Sequence, residues 1–255
     1  IVHAHTWFSD GGVAYEIYKK YKIPYIIAIR NTDLNLFFKY LFYLKGYGAN
    51  ILINSSQIIF ISSIYSNRFK QINYLKKLHS SIDEKIVIIP NGVDEFWINN
   101  VKERAVGTKF PLRLLYIGNF SSNKNVIRLL KAIDILNQSE LCYNLKIVGK
   151  GGRQEKKIIN YVKTKKYFHF LGEVKDKDIL KDLFANTDIF TMPSKTETFG
   201  LVYIEALSQG IPVLFSENEG IDGTYENIGE AVNPFDVYDI INGIKKITLN
   251  YDKYN

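Results

Sequence analysis

The chain has 255 residues but only one cysteine, one methionine, six prolines and four histidines. The lone Cys142 excludes an internal disulfide framework and suits a reducing compartment. No Cys/His spacing of a metal cluster is present, so no metal site is expected. Long hydrophobic runs are missing too. Stretches such as YIIAI at 25–29 are far too short to cross a bilayer. No signal-peptide pattern is visible, and the chain opens on Ile1 rather than methionine. Internal repeats, low-complexity tracts and recognised nucleic-acid motifs are also absent, so no nucleic-acid partner is expected. These absences read as a cytoplasmic protein.

What is present is ordinary globular material, with 46% hydrophobic and 23% charged residues. The length accommodates one large domain or two of usual size. The net charge of +7 is unevenly placed. Residues 1–107 hold 13 Lys and Arg against 8 Asp and Glu, whereas the remainder holds 20 against 18. A basic front half favours phosphates, acidic glycans or an anionic membrane face, and it equally fits a solvated basic surface.

Short β-branched runs alternate with helical patterns. IVHAH (1–5), YIIAI (25–29), IIFIS (58–62) and KIVIIP (85–90) read as buried strands. RLLYIG (113–118), LKIVGK (145–150), FHFLG (168–172), IFTMP (189–193), PVLFS (212–216) and, more weakly, EAVNP (230–234) read the same way. Between them the period becomes helical. Val126, Ile127, Leu129, Leu130, Ile133 and Leu136 fall on one face of 125–137. Ile179, Leu180, Leu183 and Phe184 do so in 178–187. Strand–helix alternation predicts α/β architecture with parallel sheets. The polar segment 91–111, with Asn91-Gly92 near its start and Pro111 at its end, breaks the rhythm. It sets a boundary near residue 105, giving domains 1–105 and 106–255. The first domain opens directly on a strand and is expected to be incomplete, as a piece of a longer protein would be.

Three stretches carry candidate chemistry. In PSKTETFGLVYIEALSQGIPV (193–213), Thr198 reads as the N-cap of a helix that follows the strand IFTMP. The amides of Gly200 and Leu201 would then lie in its first turn and offer an anion site. Glu197 and Glu205 flank this site, roughly 12 Å apart if the stretch is helical throughout. That length suits a ligand with hydroxyls at both ends and phosphates between them. The spacing alone also fits a capping Glu197 and a surface Glu205. In YIGNFSSNKN (116–125), a strand ends at Gly118 and Lys124 precedes a helix, the usual phosphate-facing edge of an open α/β sheet. In HAHTWFSDGG (3–12), His3 and His5 alternate toward one face; a hydrogen-bonded structural histidine fits there as well. A fourth stretch, LNLFFKYLFYLKGYG (34–48), is aromatic, basic and helical in rhythm. It fits either a core-facing helix or one dipping into a membrane interface.

Taken in order, HAH…GG, IPNGVD (89–94), LYIGNFSSNKN, LKIVGKG (145–151), FLGEV (170–174) and the E-x7-E segment with its embedded Phe-Gly-Leu resemble the retaining glycosyltransferases of the GT-B fold, family 4 (the group 1 glycosyltransferases). The resemblance covers nearly the whole chain. It implies two Rossmann-like domains facing across a cleft, the first incomplete here. It also implies a UDP- or GDP-linked sugar donor held by the second domain, with no cofactor or metal. A saccharide or glycolipid acceptor would be held mainly by the first domain. Cell-surface polysaccharide synthesis follows from the same resemblance, and the basic front half with the stretch 34–48 is compatible with peripheral contact at the inner membrane face.

Carried onto this chain, the resemblance makes Glu205 hold the ribose and Glu197 the donor sugar. Phe199, Gly200 and Leu201, with Thr198 beside them, present amides to the sugar and its phosphate. Lys124 holds the diphosphate beside Gly118 and Asn119, the backbone at Val174 meets the base, and His5 touches the transferred sugar. One departure concerns Asn119, where the family usually carries Arg. It keeps open a nucleotide-sugar-binding module without catalysis. A GT-B-fold nucleotide-sugar epimerase is the other alternative, and the E-x7-E segment argues against it.

Overall fold

Each apolar run expected to be a strand is one. The computed structural model describes residues 1–101, 110–138 and 142–254. The strands β1 (Val2–Ala4), β2 (Tyr25–Ala28), β3 (Gln57–Phe60) and β4 (Ile86–Ile88) form a parallel sheet in the order β1-β2-β3-β4. A second sheet holds β5 (Leu112–Ile117), β6 (Tyr143–Val148), β7 (Phe168–Gly172), β8 (Ile189–Thr191), β9 (Val213–Ser216) and β10 (Gly229–Val232). It is also parallel, in the order β10-β9-β8-β5-β6-β7. The strands are legible because parallel sheets are covered on both faces: every residue of β8 and β9 is buried.

The helices are α1 (Ser9–Tyr21), α2 (Lys45–Asn54), α3 (Ser63–Gln71), α4 (Asn73–Lys76), α5 (His79–Ile82), α6 (Glu95–Asn99), α7 (Val126–Leu136), α8 (Glu155–Val162), α9 (Lys177–Ala185), α10 (Leu201–Ser208) and α11 (Val237–Leu249). The chain divides into two compact units, Ile1–Asn91 and Gly92–Asn255. The boundary expected near residue 105 falls on 102–109, outside the described residues, and α6 groups with the second unit.

In the first unit the core is built on Trp7. Its ring meets Phe8 at 4.4 Å, Phe38 at 5.5 Å and Phe69 at 5.8 Å. Its indole N–H donates to the Gly48 carbonyl at 2.9 Å. Gly48 is required there, since a Cβ would lie 2.8 Å from the Phe8 ring. His5 follows the end of β1, and its ring stacks on His3 at 4.4 Å. The two imidazoles thus share a side of the chain, as alternation predicts, and both residues are exposed.

The stretch 34–48 is not one helix. It runs as a π-helical turn (Asp33–Phe38), a break at Leu41, a 3-10 turn (Phe42–Leu44) and then the start of α2. Residues four apart share a helix face, yet Phe38 is buried and Phe42 is 74% exposed. The break at Leu41 (φ −100°, ψ 63°) separates them.

In the second unit, Val126, Leu129, Leu130, Ile133 and Leu136 of α7 are buried, as the helical period predicts. Asp176 caps α9, accepting the N–H groups of Asp178 and Ile179 at 2.8 and 3.3 Å, which is worth about 1 kcal/mol. Leu183 and Phe184 enter the core, whereas Ile179, expected beside them, stays exposed. The strand order fixes what matters for function. The chain builds from β5 outward to β6 and β7, then returns to the other side of β5 for β8, β9 and β10. Beyond the carboxyl ends of β5 and β8, where the direction of building reverses, an open α/β sheet has its natural ligand crevice.

Candidate active site

Two loops meet at that reversal point. One links β5 to α7 and carries Gly118 to Asn125. The other links β8 to α10 and carries Met192 to Gly200. They are laced together. Asn123 donates its side-chain amide to the Thr196 carbonyl at 2.8 Å, and its Oδ1 accepts the Thr196 hydroxyl at 2.7 Å and N–H at 3.1 Å. The Lys195 N–H donates to the Asn123 carbonyl at 2.8 Å. Asn125, buried and left-handed (φ 59°), reaches the carbonyls of Pro193 at 3.0 Å and Pro234 at 2.6 Å.

On this scaffold sit Lys124 and Glu197, 73 residues apart in sequence. The Lys124 ammonium donates to Glu197 Oε2 at 2.7 Å, and the two side chains are 19% and 14% exposed. The Met192 sulfur lies 3.8 Å from the same nitrogen. Glu197 is tied down on its other sides. Its N–H donates to Glu219 Oε2 at 2.8 Å, its carbonyl accepts from Gly220 N–H at 2.8 Å, and its Oε1 accepts from Thr198 N–H at 3.1 Å. Gly220 makes this approach possible. Its φ is 57°, and a Cβ would meet Glu197 Cγ at 3.1 Å.

The helix after this loop starts later than the sequence suggests. Thr198 is not its N-cap; Gly200 is, with φ 79° and ψ 74°, and α10 begins at Leu201. A Cβ at Gly200 would fall 2.5 Å from the Tyr203 ring, so the capping position belongs to glycine. The segment between Glu197 and Glu205 is therefore only half helical, and the roughly 12 Å expected from eight helical residues does not apply. Phe199 is buried. The first helical N–H taken up is that of Tyr203, by the Gly200 carbonyl at 2.9 Å. The amides of Leu201 and Val202 precede it at the helix mouth. The Tyr203 hydroxyl donates to the Met192 carbonyl, pinning α10 to the end of β8.

Glu205 lies within α10, which packs against α6. Burial raises its pKa above the ordinary carboxylate value. A hydrogen bond from the Trp97 side chain and the charge of Lys177 pull it down, and Asp94 pushes it up. Trp97 is buried against Phe184 at 5.2 Å, and its carbonyl accepts the Gln209 side chain at 2.8 Å. Asp94 and Lys177 pair at 2.8 Å. Glu205 is half-buried rather than fully exposed.

The remaining expected residues lie at loop positions. Gly118 donates its N–H to the Val148 carbonyl at 3.0 Å. Asn119 turns inward on its own loop: its Oδ1 accepts Ser121 N–H at 3.0 Å and its carbonyl accepts the Tyr116 hydroxyl at 2.7 Å. Val174 follows β7 in the loop leading to α9. His5 belongs to the first unit. Sequence reasoning missed Asn123, Asn125, Trp97 and Glu219. Asn125 carried a usable signal, an asparagine immediately before a strong helical period. Glu219 had only a neighbouring glycine. Among the described residues, no group of three or more His, Cys, Asp and Glu is placed to hold a metal ion.

Comparison with known proteins gives the same direction. A family profile described as "Glycosyl transferases group 1" matches residues 101–255. The uncharacterized glycosyltransferase MJ1178 of Methanocaldococcus jannaschii is 26% identical over 93% of this chain and 63% of its own. The putative teichuronic acid biosynthesis glycosyltransferase TuaC of Bacillus subtilis is 25% identical over 88% of this chain and 55% of its own. The chain thus spans less than two thirds of the length of these relatives. Among solved structures, Anabaena Alr3699/HepE in complex with UDP and glucose superposes with a TM-score of 0.66 at 19% identity, covering 96% of this chain and 67% of that one. Such likenesses show the fold, and the expected class of two parallel Rossmann-like sheets is the one observed.

Proposed function

Because the chain belongs to the group 1 glycosyl transferases, we propose that its protein moves a sugar from a nucleoside diphosphate donor to a saccharide or glycolipid acceptor, with retention at the anomeric carbon. Cell-surface polysaccharide synthesis is the setting this reading favours, supported by the likeness to a teichuronic acid enzyme. The observation that carries it is the convergence of Lys124 and Glu197 at 2.7 Å beyond the carboxyl ends of β5 and β8. The mouth of α10 lies on the same loop.

In this reading the diphosphate lies against Lys124 and the amides of Leu201 and Val202, where positive potential stabilises the departing charge. Glu197 accepts sugar hydroxyls and Glu205 the ribose hydroxyls. The base meets the backbone at Val174, and Gly118 and Asn119 line the phosphate side. The bond from the anomeric carbon to the phosphate oxygen breaks as the bond to the acceptor oxygen forms on the same face. The acceptor's proton passes to the leaving phosphate, so atoms and charge balance without a protein nucleophile.

Calorimetric titration with UDP, GDP, ADP and their sugars tests this. Glu205→Gln is expected to weaken free nucleotide binding about thirtyfold, the worth of charge-assisted hydrogen bonds. Glu197→Gln should leave free nucleotide unchanged and weaken only the nucleotide sugar. Equal effects of both on free nucleotide would overturn the assignment.

A pH prediction follows from Trp97. Glu205 accepts hydroxyls as a carboxylate, so affinity is full above its pKa and falls as pH drops through it. Burial already holds that pKa high, and the Trp97 hydrogen bond lowers it. Trp97→Phe keeps the ring but removes the donor, so the fall in nucleotide affinity should begin at a higher pH than in the wild type. A Trp97→Phe profile parallel to the wild type from pH 5 to 8 would show that Trp97 serves packing alone.

A further inference from the structure

From the second unit we infer a docking site for an acidic, extended segment of a partner protein, which adds a strand to the free edge of β7. It is independent of the transferase reading. Among the described residues β7 ends the six-stranded sheet and pairs only with β6. Its register shows which backbone groups are spare. Phe168 pairs with Leu145 and Phe170 with Ile147, and the Leu145 N–H donates to the Tyr167 carbonyl at 2.8 Å. In a parallel ladder the residues flanking a paired position make its bonds, so Phe168 and Phe170 turn their backbone groups away from β6. The Phe168 N–H donates to the Lys165 carbonyl at 3.4 Å. The Phe168 carbonyl and the Phe170 N–H and carbonyl are directed at the open edge.

A groove of about 460 Å³ lies beside this edge. Residues 168–171 of β7 form one side, Ile159 and Val162 of α8 another, and Lys163, Lys165 and Lys166 the rim. All three lysines are exposed. Strand addition needs main-chain groups at an edge and a pocket beside them for alternate side chains, and the groove supplies both. Charge selects the occupant. Five lysines and no Asp or Glu fall between residues 156 and 172. Asp134 of α7 is held by the hydroxyls of Tyr161 and Tyr167. Lysines that guard an edge against pairing stand on the edge strand itself. β7 carries none, and its outward residues are His169 and Leu171, the latter 43% exposed. The cations instead precede the strand, placed to meet carboxylates on a segment laid along it. A second copy of this chain, paired edge to edge about a twofold axis, would bring two such sets of lysines together and be repelled. A partner of opposite charge is the occupant that fits.

Fluorescence anisotropy with the full-length protein tests this, using a labelled octapeptide of alternating glutamate and valine and a lysine–valine octapeptide as control. Binding is expected to the acidic peptide alone and to weaken with salt. The Lys163→Gln, Lys165→Gln, Lys166→Gln triple variant should weaken it about tenfold, the worth of three exposed ion pairs. These are surface groups, so its thermal melt and its nucleotide titration should match the wild type. Two further acidic peptides, N-methylated at odd or at even positions, separate strand addition from charge alone. One should lose binding and the other keep it, since only one alternate set of N–H groups faces β7. Binding of neither unmethylated peptide, equal binding of the two methylated ones, or unchanged binding in the triple variant would overturn the inference. So would displacement of the peptide by a nucleotide or by phosphatidylglycerol vesicles, or a dimer whose formation the peptide blocks.

Discussion

Replacing Lys124 with alanine is expected to lower sugar release from the donor by about a thousandfold in the full-length protein, the scale set by removing a preorganised charge from a leaving group. A radiolabelled nucleotide sugar and a count of free sugar make the measurement without knowledge of the acceptor. The structure adds a complication that must be separated from catalysis. Lys124 is paired with Glu197 at 2.7 Å, and both side chains are less than one-fifth exposed. Lys124→Ala leaves that carboxylate without its cation and should cost about 2 kcal/mol of stability. Loss of activity in the single variant could therefore arise from a disturbed loop.

The double variant Lys124→Met, Glu197→Gln separates the two effects. Neutralising both partners removes the stranded charge, so stability should return toward the wild type. Activity should not return, because the diphosphate still lacks its cation and the donor sugar its carboxylate. Recovery of sugar release in the double variant would overturn the roles assigned to both residues. The pairing also means that the donor must draw the ammonium partly away from Glu197. Both groups then face the ligand they are assigned, the phosphate for one and the sugar for the other.

The two sheets were legible because each strand is a short, nearly continuous apolar run, the pattern that burial on both faces imposes. The α7 stripe was legible for the same kind of reason, since its period matches the helix. Local propensity failed where a distant partner decided the outcome. Thr198 is a good capping residue by type, yet its N–H is taken by the Glu197 carboxylate at 3.1 Å and the cap passes to Gly200. Glu197 is held by Glu219, 22 residues on, and by Lys124, 73 residues back. No window of local sequence contains those partners. The broken stretch 34–48 failed for a related reason. Its apolar residues serve two surroundings, with Phe38 in the Trp7 core and Phe42 in solvent, and a single helical period cannot describe both. The candidate site was legible by residue type and loop position. Its clasp was not, because asparagine at 123 and 125 reads as ordinary loop chemistry until the second loop is seen against it.

That clasp gives the second large effect. Asn125→Ala should destabilise the second unit by about 4 kcal/mol, combining lost bonds to buried carbonyls with a side chain forced into left-handed backbone. Asn125 is 5% exposed with φ 59°. Its amide nitrogen serves the carbonyls of Pro193 and Pro234, and its Oδ1 accepts from Arg128 at 2.9 Å. One side chain thus ties the β5–α7 loop, the β8–α10 loop and the segment after β10. Asn125→Gly divides the cost. Glycine adopts the left-handed region freely, so it should be about 1 kcal/mol less damaging than alanine, with the remainder belonging to the hydrogen bonds. Urea unfolding of the three proteins gives the comparison. If alanine and glycine destabilise equally, the backbone carries no strain at this position. If neither exceeds about 1 kcal/mol, the carbonyls find other partners and the two loops are not held by Asn125. A clasp of the expected strength would also reach the active site: loosening it frees the loop that places Lys124 against Glu197, so donor affinity should fall in both variants in the order of their stabilities.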